Sequence, residues 1–270
     1  MRGSGRIWHL SASVASAWLL FGCVAVTRDQ AAQPTLPDMS VAAVPADAQK
    51  RADIRLQLAA GYYERGQFAV ALEETRLALE AKPDFADAYS VQALIYMETG
   101  AAGQAESSFR QALRLVPDNP DFLNNYGWFL CNNDRAGESI AYFESALKNK
   151  SYKSPSKALV NAGVCSLRLQ NRPAAERYFS QAFQYEPGNL VVNVNLANLY
   201  FDSRDFERAR FHIAPVVKGD MASADVLWLA IRVERKLGNQ QAQSELAAQL
   251  RRRYPASPEY AAYQRGVFDE

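Results

Sequence analysis

From residue 52 onward the chain repeats itself about every 34 residues, and a period of that length leaves few folds open. Units begin at 52, 86, 120, 156, 190 and 224, so four steps are 34 residues and one is 36. The first runs through Gly61-Tyr62, Gly66, Phe68, Ala71 and Ala78 to Pro83; the second through Ala93, Tyr96, Gly100, Ala105, Phe109 and Ala112 to Pro117. Gly127, Phe143 and Ala146 mark the third, Gly163, Ala175, Phe179 and Pro187 the fourth, Ala197, Tyr200, Phe206 and Ala209 the fifth, and Gly238, Ala242 and Pro255 the sixth. Small residues at fixed offsets let two antiparallel helices approach closely, and larger ones fill the space to the next unit. Two departures stand out. The third unit ends in KNKSYKSPS, with two extra residues and no closing proline, and Pro215 falls inside the second helix of the fifth, where it is expected to kink or shorten it.

Small residues at positions 8 and 20, aromatics at 11 and 24 and proline at 32 resemble the tetratricopeptide repeat. The resemblance implies an all-α fold, a superhelical solenoid of six helix-pair repeats with a concave inner face. It occupies residues 49–262, with 263–270 as a C-terminal tail.

The amino terminus reads as an address. In MRGSGRIWHLSASVASAWLLFGC, Arg2 and Arg6 form a basic n-region ahead of a moderately apolar stretch, as in a secretory signal spanning residues 1–22. Leu20-Phe21-Gly22-Cys23 resembles a bacterial lipobox, in which Cys23 is lipidated and becomes the first mature residue; Phe21 departs from the usual pattern. Acyl chains on one residue anchor a protein to a membrane. Val24 stands where an aspartate would resemble the inner-membrane retention signal, which favours the periplasmic face of the outer membrane. Residues 23–48 comprise that cysteine and an Ala- and Pro-rich stretch expected to act as a flexible tether.

Composition removes several functions. Thirty Lys+Arg against 29 Asp+Glu leave no basic surplus for nucleic acid. The run Arg251-Arg252-Arg253 fits the last turn of a helix, where cations complement the dipole. There are two histidines, and His9 belongs to the signal. With no phosphate loop, HExxH or GxSxG motif, the chain is not expected to be an enzyme or to use a metal, cofactor or small-molecule substrate.

Two cysteines remain after Cys23. Cys131 is position 12 of the third repeat and Cys165 is position 10 of the fourth, on neighbouring first helices. An oxidising compartment favours a disulfide, and two buried free thiols are the alternative. Neither CNND nor VCSL offers further metal ligands, and no base lies near either thiol in register.

In tetratricopeptide domains, positions 2, 5, 9, 12 and 13 of each first helix line the concave face. Here they supply an apolar floor of Leu56, Tyr63, Leu94, Met97, Trp128, Val164, Leu167 and Phe201, suited to an amphipathic helix or an extended hydrophobic segment. Trp128 and Phe201 are the leading candidates, since aromatics dominate binding hot spots. Charged residues fall at other groove positions: Asp53, Glu64, Asp87, Glu98 and Asp121 in the first three repeats, Lys157 and Arg168 in the fourth, Asp202 in the fifth, and Asp225, Arg232, Arg235 and Lys236 in the sixth. Leu56 and Ala60 replace the Lys/Asn clamp with which chaperone-binding relatives hold a free carboxylate, which argues against such a ligand.

NNYGWFLC at 124–131 and NAGVC at 161–165, on six repeats behind a lipobox, resemble the PilF/PilW family of type IV pilus biogenesis lipoproteins. The resemblance implies an outer-membrane pilotin that helps the secretin ring localise and multimerise, or stabilises pili. It further implies lipid on Cys23, pairing of Cys131 with Cys165, and a groove that meets the secretin or another pilus component. A tetratricopeptide lipoprotein adaptor for envelope peptidases or cell-wall enzymes is the competing reading.

Overall fold

The computed structural model describes residues 45–219 and 222–268. The signal, Cys23 and nearly all of the tether lie outside them. Within the described residues thirteen helices and no strand are found. Six antiparallel pairs stack in sequence: α1 (Pro45–Glu64) with α2 (Phe68–Ala81), α3 (Ala86–Glu98) with α4 (Ala102–Leu115), α5 (Pro120–Asn132) with α6 (Ala136–Lys148), α7 (Pro155–Arg168) with α8 (Arg172–Tyr185), α9 (Leu190–Asp202) with α10 (Phe206–Val217), and α11 (Ala224–Lys236) with α12 (Gln240–Arg253). A last helix, α13 (Pro258–Arg265), packs on the sixth pair. First helices of neighbouring repeats touch one another, α1 with α3, α3 with α5, α5 with α7 and α9 with α11, so they line the inner side of the stack.

The repeat register sets the helix starts. Ala86, Pro120, Leu190 and Ala224 open both a repeat and a helix. The chain differs from expectation at its two ends. α1 begins at Pro45, inside the stretch read as tether, because PADAQKR is built from good helix formers and closes side-chain links one turn apart. Arg51 pairs with Asp47 at 2.7 Å, and Gln49 donates to Asp53 at 2.7 Å. Those residues carry no apolar stripe, so periodicity does not mark them. At the other end α13 crosses the 262/263 boundary; Ser257 accepts from the Tyr260 amide and Gly266 closes the helix at φ 71°. Pro215 does shorten its helix: α10 has 12 residues where the other second helices have 13 or 14.

One contact, between positions 8 and 24, explains the core of every repeat. The pairs are Ala59 with Thr75, Ala93 with Phe109, Gly127 with Phe143, Gly163 with Phe179, Ala197 with Ile213 and Ile231 with Ala247, all buried or nearly so. In repeats 2–5 a large residue on the second helix faces a small one on the first, the sixth repeat reverses which helix carries which, and the first repeat has two small residues, Ala59 and Thr75. The fit is tightest in the middle. A Cβ on Gly127 would stand 2.8 Å from Phe143 Cε1, and one on Gly163 would stand 2.6 Å from Phe179 Cε1.

Position 15, the turn between the two helices, is left-handed in all six repeats. Gly66, Gly100 and Gly238 take φ of 70–74°, and Asp134, Gln170 and Arg204 take φ of 56–63° in the central three. Glycine enters this region without steric penalty, whereas other residues lose about 1–2 kcal/mol.

Candidate functional site

The block Asn124–Cys131 is mainly a clamp between α5 and α7. Asn124 is wholly buried; its carbonyl accepts from Asn161 Nδ2 at 2.9 Å and its amide donates to Asn125 at 3.2 Å. Tyr126 packs among Phe109, Phe129 and Tyr142, and its hydroxyl donates to Glu106 at 3.0 Å. Gly127 receives the Phe143 ring, and Phe129 and Leu130 are core. Cys131 and Cys165 are joined by a disulfide, with their Cα atoms 5.9 Å apart. The Cys131 carbonyl also accepts from Arg168 Nη1 at 2.6 Å. Position 12 of repeat 3 therefore faces the helical turn between positions 10 and 13 of repeat 4, which accounts for the offset of the two cysteines. Buried amide pairs of this kind fix one register, since a slip would leave polar groups unsatisfied.

Two residues of the block are half-buried, Asn125 and Trp128, the latter with the Arg168 guanidinium 5.6 Å from its ring centre. All eight floor residues share that half-buried state. Leu56, Leu94 and Met97 pack along separate small clusters of the first three repeats, while Trp128, Val164, Leu167 and Phe201 edge the large core. Tyr63 packs on Phe68 and points its hydroxyl at Glu98, 3.5 Å away. A cavity of about 330 Å³ joins Met97 and Trp128, with Glu98, Phe129 and Asn132 around them. Phe201 belongs to a different cavity further along, and neither includes Leu56, Tyr63, Leu94, Val164 or Leu167. The structure thus divides the floor into a central hollow at repeats 2–3 and a distal one.

The acidic end has its own electrostatics. The Asp87 carboxyl is pushed above its ordinary range, first by the water its place on the concave surface displaces and then by Asp53 and Asp121, the equivalent residues on either side. A backbone hydrogen bond and the Lys82 ammonium act in the opposite direction.

A stack of helix pairs presenting a half-buried apolar floor on its first helices is a protein-interaction scaffold. Tetratricopeptide-repeat family models match it at residues 56–120, 92–154 and 167–227. A crystal structure of PilW, described as a widely conserved type IV pilus biogenesis factor, is 32% identical with a TM-score of 0.70, covering 79% of this chain and 98% of that one. That of Pseudomonas aeruginosa PilF is 28% identical with a TM-score of 0.76, covering 81% and 99%. The type IV pilus assembly protein PilF of the same organism is 29% identical over 212 residues, 78% of this chain and 84% of the relative. The chain belongs to the PilF/PilW family of tetratricopeptide-repeat proteins of type IV pilus biogenesis.

Proposed function

We propose that this chain is an outer-membrane lipoprotein, anchored through Cys23 on the periplasmic face, that promotes pilus biogenesis by binding an apolar segment of the secretin or of another pilus component. The observation that carries the reading is the hollow where Met97 and Trp128 meet on a scaffold of this family. Half-buried side chains at the edge of a core are already partly ordered, so covering them costs little conformational entropy and removes apolar area from water at about 25 cal/mol per Å². The disulfide and the Asn124–Asn161 bond hold α5 against α7 beside that hollow, so the floor is preorganised. The role is structural and non-enzymatic.

The test is the state of the secretin in membranes of cells lacking this protein, on an unheated gel after fractionation. Loss of multimers, or monomers in the inner membrane, reproduced by Cys23→Ala, is the expected result. Normal multimers in the outer membrane would exclude the secretin as the partner and turn the search to pilus stabilisation.

A further inference from the structure

The two ends of the stack are finished differently. At the carboxyl end α13 packs against α11 and α12. At the amino end no described residue precedes α1, and none covers the face that an earlier repeat would fill. The register shows what that face is elsewhere. Position 3 is Ala88, Phe122, Ala158, Val192 and Val226 in the later repeats, every one buried, and Ile54 in the first, 49% exposed. Position 7 is buried as Tyr126, Ala162, Leu196 and Ala230, whereas Leu58 is 40% exposed. The second helix of the repeat before covers the later residues: Phe122 clusters with Ala112 of α4, Tyr126 donates to Glu106 of α4, and Ala158 clusters with Ala146 of α6. Position 19 reaches back in the same direction, as Arg208 does toward Glu176 at 3.8 Å; in the first repeat it is Val70, 43% exposed.

Charge distinguishes this face further. Lys50, Ile54, Leu58 and Tyr62 recur every four residues along one side of α1. Arg65 lies just past the helix end, with its guanidinium 4.7 Å from the Tyr62 ring centre. Cations therefore stand at both ends of the apolar stripe. Neither has a counterpart in the later repeats: the residues equivalent to Lys50 are Asp84, Asp118, Ser154, Gly188 and Ala222, and those equivalent to Arg65 are Thr99, Asn133, Leu169, Ser203 and Leu237. Among the remaining charged groups of α1 and α2, Arg51 pairs with Asp47, Arg55 with Glu74, and Arg76 with Glu73 and Glu80. Asp53 and Glu64 occupy groove positions.

We propose that this end face lies on the surface of a bilayer containing anionic phospholipid, so that the first repeat is the membrane-proximal end of the stack. Ile54, Leu58 and Val70 enter the boundary between headgroups and acyl chains, Tyr62 sits at headgroup level, and Lys50 and Arg65 meet phosphates. Apolar residues between cations, with a tyrosine among them, are the composition of an interfacial helix face. The later repeats, whose equivalent faces meet a helix, have no cation at either place, which favours anionic headgroups over a protein helix as the occupant. The inference rests on the acylation of Cys23 proposed above, since residues 24–44 connect that cysteine to α1, the helix nearest to it in the chain. Positions 3, 7 and 11 are not groove positions, so the groove stays open to a partner.

The test is bromolipid quenching in vesicles of phosphatidylethanolamine and phosphatidylglycerol carrying the full-length mature protein. Leu58→Trp adds a reporter to the end face, and Leu169→Trp, at a similarly exposed leucine of the fourth repeat, is the control. Bromines on the acyl chains should remove most of the emission that Leu58→Trp adds and leave that of Leu169→Trp unchanged. Lys50→Gln with Arg65→Gln in the Leu58→Trp chain should restore part of that emission, as should phosphatidylcholine in place of phosphatidylglycerol. Intact mass reports the acyl chains on Cys23 separately. If they are absent the anchoring reading fails, and the same proteins added to preformed vesicles still test the face. The proposal is overturned by emission from Leu58→Trp that bromolipid leaves unquenched, by equal quenching of both reporters, or by quenching indifferent to the two cations and to phosphatidylglycerol. Unquenched emission together with a doubled mass in solution would assign the face to a second copy of the chain instead.

Discussion

The first two repeats and the last four share one register but are held together differently. From Cys131 to Phe268 a single contiguous cluster of buried residues runs through the stack, with Phe143, Phe179, Leu196, Ile213 and Leu227 at its centre. The buried residues before Cys131 instead fall into four smaller clusters, one of which extends through Tyr152 to Ala158, and the buried residues of α2 are only Ala71, Thr75 and Ala78. Surface ionic contacts partly take over there: Arg55 with Glu74, and Arg76 with Glu73 and Glu80. Pairs this exposed contribute little, about 0–1 kcal/mol each. In a solenoid each repeat contacts only its neighbours, so local stability follows local burial. By this measure the amino-terminal repeats are softer than the middle of the stack, which the large cluster and the disulfide hold, and the hollow at Met97 and Trp128 sits where the two meet; α12 in turn buries only Ala247 and Leu250.

Four perturbations probe this contrast. The largest effect falls on the core contact itself: Phe179→Ala should cost about 3–5 kcal/mol, whereas Thr75→Ala at the same repeat position should cost about 1 kcal/mol, the bond from Thr75 Oγ1 to the Leu72 carbonyl. Urea midpoints measure both, and equal losses would erase the distinction. Next, the paired Cys131→Ala/Cys165→Ala variant should lose about 2–4 kcal/mol, with amide exchange accelerating in α5 and α7 before α1. Third, Gln170→Gly should raise stability by about 1 kcal/mol by relieving the left-handed turn, while Gly66→Gln should lower it by a similar amount.

The smallest effect is a pH dependence at His212 in the fifth repeat. Asn193 donates through Nδ2 to the Pro187 and Asn189 carbonyls, so its Oδ1 is free to accept from His212 Nδ1 at 3.0 Å. Burial lowers the pKa of His212. As pH falls through about 6.5 the unfolded chain takes up a proton that the folded chain resists, so stability is full above that pH and declines below it. Denaturation midpoints between pH 5 and 8 should show this slope, and His212→Gln should flatten it.

Much of the fold is legible in the sequence because its cause is periodic. Small and large residues at positions 8 and 24 announce the helix pairs of repeats 2–5, whereas the first repeat has Ala59 and Thr75 there and in the sixth Ile231 and Ala247 exchange roles. The groove positions follow from the same register, and Trp128 and Phe201 both line hollows. Position 15 is legible only at Gly66, Gly100 and Gly238; Asp134, Gln170 and Arg204 adopt the same backbone because the two flanking helices dictate it, and no residue type signals that. The distal cavity is also hidden. Arg204 projects from a turn, Phe206 opens a helix, and Phe268 arrives from beyond α13, so three lining residues fall outside the first-helix positions that define the floor. NNYGWFLC carries the family resemblance, yet its residues serve mostly to lock α5 to α7, with Trp128 half-buried at the edge of the hollow.

The central claim is that the inner face, rather than scaffold integrity alone, supports pilus assembly. Its most direct test is a count of surface pili in cells whose only copy carries Met97→Asp and Trp128→Ala, with circular dichroism and thermal melting of the purified variant alongside. The account predicts a folded variant of near-normal melting temperature in cells that fail to display pili. Pili at the wild-type level from that same folded variant would contradict it.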